Sequence, residues 1–376
     1  MINMNVLSLF DGMSCGQQAL ERCNINVDNY FASEIDKYAI KVTQANYPNT
    51  IQLGSVVDLD GKSLPKIDLL LGGSPCQSFS FGGKRKGMST TCNEEIFSLK
   101  RYLELKEEGF EFEGQSYLFW EYMRILYEVK PKYFLLENVE MGEKWEKILS
   151  KAIGVNGIHI NSSLVSAQNR KRIYWTNIGL EPAGLFGYPQ SIIEHPKNKG
   201  ILLKDVLQDN PNPKYYLTNK MQEHLQSRDS FKLKNGNDKS GTITVCGEGK
   251  QGNNSTFICE PINDKYYISQ VFYDWLKNHS LKRHSEFKIT KGKRKSACLT
   301  VSALVSTNLS ADFIINENKK ALPDRTNVRR LTPIECERLQ TVKDNYTNHV
   351  SDSQRYKMLG NGWTVDVICH ILKYIK

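Results

Sequence analysis

Strand-like and helix-like segments alternate through the first half of the chain, and this alternation restricts the fold more than any other feature. Buried strands are predicted from five short runs, at Val6–Phe10, Tyr30–Ser33, Ile67–Leu71, Tyr133–Leu136 and Arg172–Thr176. Helical segments are predicted from Gln17 onward, over Asp36–Ala45 and over Tyr117–Val129. Such alternation is typical of an α/β fold, with a mostly parallel sheet covered by helices on both faces.

The second half of the chain divides into two parts of different character. Residues 178–328 are richer in Asn, Lys, Ser and Gly and contain short β-type runs. Helical character then returns, where Thr332, Pro333 and Glu335 have the pattern of a capped helix start. We therefore predict a first domain at 1–177, an inserted smaller β-containing domain at 178–328, and a C-terminal segment at 329–376 that returns to the first domain.

Composition narrows the classes of protein to which the chain can belong. Lys and Arg number 50 against 41 Asp and Glu, a net charge of +9 that permits a nucleic-acid partner without requiring one. Nine cysteines occur without a CxxC pair or zinc-ligand spacing, so we expect no metal and a reducing, cytoplasmic environment. The N-terminus lacks the basic region of a signal peptide, and no apolar run approaches the length of a bilayer span, so we expect no membrane partner.

The segment GGSPCQSFS, Gly72–Ser80, directly follows the strand predicted at Ile67–Leu71. Loops that leave parallel strands often carry functional residues, because the sheet holds them in place. Cys76 in this loop is therefore a candidate nucleophile. A small buried thiol in a turn is the simpler interpretation of the segment taken alone.

A glycine-bearing turn, FDGMSCG at Phe10–Gly16, joins the first predicted strand to the first predicted helix. Glycines at this place let a ligand approach backbone N–H groups, although tight packing would select them equally. Glu34 ends the second strand, where a carboxylate can accept hydrogen bonds from both ribose hydroxyls or can simply be solvated. Neither GxGxxG nor GxxxxGK[ST] occurs, so the turn and the acid together indicate a nucleoside cofactor without a pyrophosphate.

Seven short motifs occur along the chain in one fixed order. They are LSLFDGMSCG, SEIDKYA, GGSPCQSFS, LLENV, SAQNRKRIYW, RRLTPIECERLQT and QRYKMLGNG. In these motifs and their order the chain closely resembles the DNA cytosine-5 methyltransferases, over about residues 5–177 and 328–375. The middle module matches only loosely, as expected for the target recognition domain of that family. The resemblance implies a class I S-adenosylmethionine-dependent methyltransferase fold, Rossmann-like, with residues 1–177 as the catalytic domain.

The resemblance implies S-adenosylmethionine as the cofactor and S-adenosylhomocysteine as the product. The residues that it assigns to the cofactor surround the methionine, ribose, adenine and sulfonium groups: Phe10, Asp11, Gly12, Gly16, Glu34, Ile35, Ser55, Val56, Pro75, Leu118 and Asn361. Two positions depart from the family pattern. Ser55 stands where the family usually has an aspartate for the adenine amino group, for which Asp58 is a candidate substitute. The family's GNS is replaced by GNGW at Gly360–Trp363, which removes a serine contact.

The resemblance also gives the cysteine a chemical role. Cytosine C5 is a poor nucleophile, and addition of the Cys76 thiolate to C6 makes C5 reactive toward an electrophilic methyl group. Glu137 is implied to hydrogen-bond the exocyclic amine and N3, and Arg172 the base O2, so that both stabilise charge placed in the ring. Asn138 and Arg170 complete the implied catalytic set, with Arg170 orienting Cys76, the cofactor side or the backbone. No dedicated base for the C5 proton is evident, so water is expected to accept it.

A cytosine inside a duplex is out of reach of such a pocket, so the resemblance implies a flipped-out base in double-stranded DNA. DNA contacts are implied for the cysteine loop, the basic glycine-rich segment after it and a recognition dipeptide: Gln77, Ser80, Lys84, Arg85, Lys86, Thr300 and Val301. Thr244–Val245 is an alternative recognition dipeptide, and the basic segment Lys282–Lys295 is a candidate phosphate contact.

Three other functions are compatible with parts of the sequence. A tRNA cytosine-5 methyltransferase would share Cys76, Glu137 and Arg172, but the large middle module and the intact PCQ favour DNA. A catalytically silent relative would lack a catalytic residue, and none is missing. A nicotinamide-dependent oxidoreductase would carry the dinucleotide fingerprint that is absent. We expect a monomeric enzyme in the cytoplasm of a bacterial or phage-infected cell, with or without a paired restriction endonuclease.

Overall fold

The computed structural model describes residues 3–75, 96–110, 112, 115, 117–183, 188–209, 211–215, 233–234, 237–242, 257–259 and 328–376. Several residues singled out from the sequence lie outside these ranges: Cys76, Gln77, Ser80, Lys84, Arg85, Lys86, Thr244, Val245, Lys282–Lys295, Thr300 and Val301. The residues before the cysteine loop and most of the other predicted site residues are described.

The described residues form strands and α-helices that we number in chain order. The strands are β1 (Asn3–Leu9), β2 (Asn26–Ser33), β3 (Ile51–Gln52), β4 (Leu69–Gly72), β5 (Tyr133–Val139), β6 (Ile158–Asn161), β7 (Lys171–Thr176), β8 (Leu180–Ala183), β9 (Tyr188–Ser191), β10 (Leu233–Lys234), β11 (Phe257–Cys259) and β12 (Val328–Arg330). The helices are α1 (Cys15–Arg22), α2 (Lys37–Asn46), α3 (Leu99–Glu107), α4 (Leu118–Val129), α5 (Glu143–Ile153), α6 (Pro333–Leu339), α7 (Asp352–Asn361) and α8 (Val365–Leu372).

The central sheet has seven strands in the order β3-β2-β1-β4-β5-β7-β6. The first five run parallel, and β7 runs antiparallel to both of its neighbours, β5 and β6. The predicted α/β fold with a mostly parallel sheet is confirmed. The strand predicted at Arg172–Thr176 corresponds to β7, and its reversed direction could not be read from its composition, because a strand buried on both faces is apolar in either direction.

Helices cover both faces of the sheet, so the central strands β1 and β4 bury apolar side chains on both faces. In β1, Val6 packs in one cluster with residues of α1 and α8, and the adjacent Leu7 packs in a second cluster with residues of α4 and α5. In β4, Leu69 and Leu71 belong to the first cluster and Leu70 to the second. All five side chains are fully buried. Each contributes about 1.5–3 kcal/mol of hydrophobic stabilisation, which fixes the frame that positions the site.

Element boundaries differ from the predicted ones where loop geometry or strand pairing intervenes. β1 ends before Phe10, because Phe10 adopts a left-handed backbone with a φ of 56° and begins the glycine turn. α2 begins after Asp36, whose carboxylate caps the helix by accepting a backbone N–H at 2.9 Å. β5 extends past the predicted Leu136 to Val139, because its pairing with β7 continues through that residue.

The C-terminal segment packs against the first half of the chain. α6 begins with the predicted capping box, in which Thr332 Oγ1 accepts from Glu335 N at 3.2 Å and Glu335 Oε2 accepts from Thr332 N at 2.7 Å. α8 lies against α1, where Arg22 Nη1 is 2.9 Å from Asp366 Oδ1. The domain boundaries near residues 177 and 328 stay predictions, because most of the middle module lies outside the described ranges.

The described part of the middle module is anchored to the segment before β7. β8 and β9 form a hairpin, and β10, β11 and β12 form a small separate sheet. Lys239 is buried and its Nζ donates to the carbonyl oxygen of Ser166 at 2.9 Å, while Ser240 N donates to Ala167 O at 2.7 Å. These contacts tie residues 237–242 to the chain that leads into β7.

In the part of the chain that the structure describes, no helix is both long and apolar enough to cross a bilayer. Within the same ranges, no group of three or more His, Cys, Asp or Glu side chains is placed to hold a metal ion.

Candidate active site

Glu137 and Arg172 meet where β5 and β7 pair. Glu137 lies near the carboxyl end of β5, and Arg172 near the start of the antiparallel β7. Val139 is the register partner of Arg172, so Glu137, two residues earlier, lies on the same face of the sheet. Arg172 Nε is 2.9 Å from Glu137 Oε1, and the two side chains are 11% and 10% exposed. The two residues predicted to act on the base ring therefore form a charge-assisted pair.

A second donor holds the other carboxylate oxygen of Glu137. Trp363 lies in the connection between α7 and α8, and its Nε1 donates to Oε2 at 3.1 Å. Gly73, just after β4, lies against this pair, because a β-carbon there would be 2.9 Å from the indole nitrogen and 3.2 Å from Oε2. The absence of a side chain at Gly73 thus lets the backbone that leads to Cys76 pass beside the carboxylate.

Asn138 is buried beside Glu137 and holds the start of the cysteine loop. Its Nδ2 donates to Ser74 Oγ at 3.1 Å and to the carbonyl oxygen of Ser74 at 3.3 Å. Its Oδ1 accepts from Val139 N at 2.8 Å. The structure places Asn138 as a support for the loop two residues before Cys76, and Pro75, between them, is half-buried. The catalytic role predicted for Asn138 stays a prediction.

Arg170 is 3% exposed and donates to the backbone that carries Trp363. Its Nη1 donates to Gly360 O at 3.2 Å, and its Nη2 to Gly362 O at 2.9 Å. Asn361 lies between these two glycines, at the end of α7, and is exposed. Of the three roles predicted for Arg170, the backbone contact is the one that these hydrogen bonds describe.

The FDGMSCG turn contains three residues with left-handed backbones, each separated by one residue. The φ angles are 56° at Phe10, 58° at Gly12 and 61° at Ser14. This path directs the N–H of Gly12 to Glu34 Oε2 at 2.7 Å. A β-carbon at Gly12 would meet no atom within 4 Å, so the backbone conformation rather than crowding selects glycine there.

Glu34 directly follows the last residue of β2 and turns its carboxylate toward backbone donors. Its Oε1 accepts from Ile35 N at 2.7 Å and from Asp36 N at 2.8 Å, in addition to the bond from Gly12 to Oε2. A carboxylate has about four acceptor positions, so capacity remains for a ligand hydroxyl. Ile35 is 74% exposed, so its aliphatic side chain is accessible to a flat ring of a ligand such as adenine.

Asp11, the second residue of the FDGMSCG turn, carries a poorly compensated negative charge. Tyr30 OH donates to its Oδ1 at 2.8 Å, whereas its Oδ2 is buried and has no hydrogen-bond partner within the described residues. Burial raises the pKa of Asp11 to about 6, although the neighbouring hydroxyls of Ser8, Ser14 and Tyr30 act in the opposite direction. A cationic group bound here would offset that cost.

Gly16 is selected by packing, in contrast to Gly12. A β-carbon at Gly16 would lie 2.8 Å from Leu71 Cδ1 and 2.8 Å from Tyr30 OH. Of the two interpretations that the sequence left open for the turn glycines, tight packing applies to Gly16, and the approach of a ligand to the turn stays a prediction. Gly12 gives the turn its shape, and Gly16 lets α1 approach the sheet closely.

Ser55 and Val56 lie in the turn after β3. The Oγ of Ser55 accepts a backbone N–H of its own turn at 3.2 Å, and Val56 is buried. The carbonyl oxygen of Val56 accepts from Arg124 Nη2 at 2.8 Å. Asp58, the candidate substitute for the missing family aspartate, is exposed in the same turn. The adenine contact stays a prediction for all three.

A buried ionic network supports that turn from α4. Leu118, predicted to line the cofactor pocket, begins this helix and is half-buried. Glu121, fully buried one turn later, accepts from Arg124 Nε at 2.8 Å and from Lys106 Nζ at 2.6 Å. Arg124 Nη1 also donates to Leu59 O at 2.8 Å. The network thus fixes residues 56–59 relative to the helix that starts at Leu118.

Trp363 is the residue at this site that the sequence interpretation missed. The sequence interpretation names Trp363 only as the last residue of GNGW and assigns it no role. A buried indole N–H usually has a hydrogen-bond partner, so a tryptophan beside a motif of the site is a signal that could have been used. The partner itself could not have been named, since Glu137 lies 226 residues away in the chain.

Comparison with known proteins agrees with the geometry. The sequence matches the family model described as C-5 cytosine-specific DNA methylase over residues 4–108 and 104–376. The orphan methyltransferase M.SPRI of Bacillus phage SPR is 26% identical to this chain, over 98% of this chain and 97% of its own length. The type II methyltransferase M1.ScrFI of Lactococcus lactis subsp. cremoris is 26% identical, over 91% of this chain and 70% of its own length.

A solved structure shares the fold. The S. pombe Dnmt2 methyltransferase superposes with a TM-score of 0.59 at 15% identity, and the match covers 99% of this chain and 98% of that one. At this identity the likeness concerns the fold alone. The predicted class I methyltransferase fold is confirmed.

Proposed function

The chain belongs to the C-5 cytosine-specific DNA methylase family, and from this premise we propose that it methylates C5 of a flipped-out cytosine in duplex DNA through a covalent bond between Cys76 and C6. The observation that carries the proposal is the placement of Glu137. Its carboxylate is held by Arg172 and Trp363 beside Gly73, three residues before the proposed nucleophile.

The chemistry begins with addition to the base. The Cys76 thiolate forms a bond to C6, and the electron pair of the C5–C6 double bond shifts toward C4, so that negative charge develops at N3. Glu137 donates a proton at N3 and Arg172 donates a hydrogen bond to O2, so that the charge is stabilised where it develops. After C5 has been methylated, its proton passes to water, and the C5–C6 double bond re-forms as the C6–S bond breaks. The thiolate of Cys76 is restored, and N3 returns its proton to Glu137.

The described residues fit S-adenosylmethionine, which supplies an electrophilic methyl group when bound. The buried Oδ2 of Asp11 has no hydrogen-bond partner among the residues that the structure describes, and a ligand that carries ammonium and sulfonium charges would compensate its charge. Glu34 retains acceptor capacity for a ribose hydroxyl, and Ile35 exposes an aliphatic surface for adenine. Phe10 and Gly12 shape the turn between these groups.

We assign the DNA contacts to the cysteine loop, the basic segment that follows it and a recognition dipeptide of the middle module. Gln77 and Ser80 would meet the backbone of the flipped nucleotide, and the basic run Lys84–Lys86 would close over it. Thr300–Val301, or its alternative Thr244–Val245, would read the target sequence. The relatives include an orphan enzyme and a type II enzyme, so the proposed activity does not require a paired endonuclease.

Methylation mapping in cells tests the proposal directly. The chain is expressed in a host that lacks cytosine methylation, and 5-methylcytosine is read at every position of the plasmid. We expect methylation at one recurring short sequence, its loss in Cys76→Ala, and its retention in Cys23→Ala as a matched thiol control. An unmethylated plasmid from soluble chain would refute the DNA activity, and tRNA from the same cells would then be examined.

The covalent step has its own assay. A duplex with 5-fluorocytosine at the mapped position cannot complete the reaction, because fluorine does not leave C5 as a cation and the thiol cannot be eliminated. We expect a protein–DNA adduct that survives denaturing electrophoresis with the wild-type chain and is absent with Cys76→Ala. Methylation without an adduct would retain the activity and reject the covalent mechanism.

A further inference from the structure

Trp363 directly follows Gly362, where the chain departs from the family pattern, and its side chain reaches the proposed active site. The residue is 8% exposed, in the connection between α7 and α8. Its Nε1 donates to Glu137 Oε2 at 3.1 Å, while Arg172 Nε lies 2.9 Å from Oε1. Each oxygen of the carboxylate therefore has one fixed donor.

The backbone that carries the indole is tightly held. Gly362 O accepts from Arg170 Nη2 at 2.9 Å and from Gln340 Nε2 at 3.1 Å. A β-carbon at Gly362 would lie 2.8 Å from Met13 Cε and 3.1 Å from Met358 O, so the serine of the family pattern does not fit here without displacement. Glycine at position 362 lets the chain approach Met13 of the FDGMSCG turn, and Trp363 then lies beside Glu137.

The indole ring is also packed on the site's own glycines. A β-carbon at Gly73 would lie 2.9 Å from Nε1, and one at Gly16 would lie 3.8 Å from the Cζ3 edge of the ring. Trp363 therefore lies between Gly16 of the FDGMSCG turn and Gly73, in the backbone that leads to Cys76. The close approach of the Gly73 backbone restricts rotation of the ring, so its N–H is a preorganised donor to Oε2.

We propose that Trp363 is a positioning residue for Glu137, whose indole N–H holds Oε2 and thereby orients the carboxyl group toward the base. This inference rests on the proposed function, since it assigns Trp363 to the proton donor of that reaction. The alternative is a purely structural tryptophan whose hydrogen bond has no consequence for the chemistry. The two readings differ in what loss of the N–H does to the methyl-transfer rate.

Single-turnover kinetics at saturating DNA and cofactor provide the test. Trp363→Phe removes the N–H, and replacement of Trp363 by 3-benzothienylalanine removes it while keeping the bicyclic shape. We expect both to lower the rate by about 10- to 100-fold, as for a misplaced catalytic group, with KM for S-adenosylmethionine changed less than about threefold. Trp175→Phe is the matched control, because Trp175 Nε1 donates to Ser150 Oγ at 2.9 Å, away from Glu137.

A double-mutant cycle with Glu137→Gln assigns the effect to the carboxyl group. If Trp363 acts through Glu137, then Trp363→Phe lowers the residual rate of Glu137→Gln by less than about threefold. An equal loss in both backgrounds, a wild-type rate in the benzothienyl variant, or a change confined to KM for the cofactor would each overturn the inference and leave the proposed function intact. A wild-type chain that methylates no DNA would overturn both.

Discussion

Arg172 and Glu137 are diagonal neighbours on paired antiparallel strands, and their side chains meet at 2.9 Å between Nε and Oε1. Arg172 is opposite Val139, and the side chain of Glu137 emerges on the same face two residues away. Long side chains can bridge such diagonal positions. The pairing of β5 with β7 in this register thus brings together two residues that are 35 positions apart in the chain, and a change of register by one residue would separate them.

Arg172→Ala is expected to lower the single-turnover methylation rate by about 10²- to 10³-fold, because it removes a preorganised donor to the developing charge. Lys171→Ala is the matched control, since Lys171 precedes Arg172 on β7 and its side chain is 60% exposed. The melting temperature of both variants is measured to confirm that the chain remains folded. A rate loss in Lys171→Ala equal to that in Arg172→Ala would show that the strand, rather than the guanidinium, is responsible.

The apolar pattern of the sequence predicts a sheet covered by helices on both faces. It does not predict which strands pair or in which direction they run. The apolar runs of β1, β4 and β5 identify buried strands, because residues on both faces of a covered parallel strand are apolar. The direction of β7 and the place of β6 at the sheet edge depend on long-range packing that no local pattern records. Motif order identified Glu137, Arg172 and Glu34, but the partners of each follow from the register and from loop conformation.

The resemblance to the family does not predict the contact between Trp363 and Glu137. The family pattern points to the serine missing at Gly362, whereas the structure shows that a side chain there would have to displace Met13 Cε and would lie 3.1 Å from Met358 O. The useful signal was the large aromatic residue that follows. Its partner could be found only once the fold had brought α8 to the end of β5.

Gly16→Ala is expected to lower the free energy of unfolding by about 1–3 kcal/mol, because the new methyl group would lie 2.8 Å from Leu71 Cδ1 and from Tyr30 OH. Displacement of Tyr30 would also disturb its bond to Asp11 and weaken cofactor binding. Gly142→Ala is the control, since a β-carbon there meets no atom within 4 Å and the φ of −66° suits alanine. Urea unfolding measures both variants, and equal midpoints would contradict the packing argument.

Asp11→Asn is expected to stabilise the ligand-free chain and to weaken its cofactor binding. The pKa of Asp11 is raised from 3.8 to about 6 by burial, so folding favours the protonated form. The stability contributed by that proton is fully present below about pH 3.8 and is lost as the pH rises through about 6. Between pH 5 and pH 8 the wild-type chain should therefore lose about 1 kcal/mol that the asparagine variant, which does not titrate, retains.

Thermal unfolding and equilibrium dialysis across this pH range test both parts of the Asp11 prediction. The stability advantage of Asp11→Asn should grow from pH 5 to pH 8, while its affinity for S-adenosylmethionine at pH 8 should fall by about 10-fold or more through loss of an ionic partner. Wild-type affinity should itself weaken as the pH falls through about 6. Asp28→Asn, at an exposed position on β2, should change neither quantity. A pH-independent difference in stability would contradict the assignment of the charge to Asp11, and unchanged affinity would place the cationic end of the cofactor elsewhere.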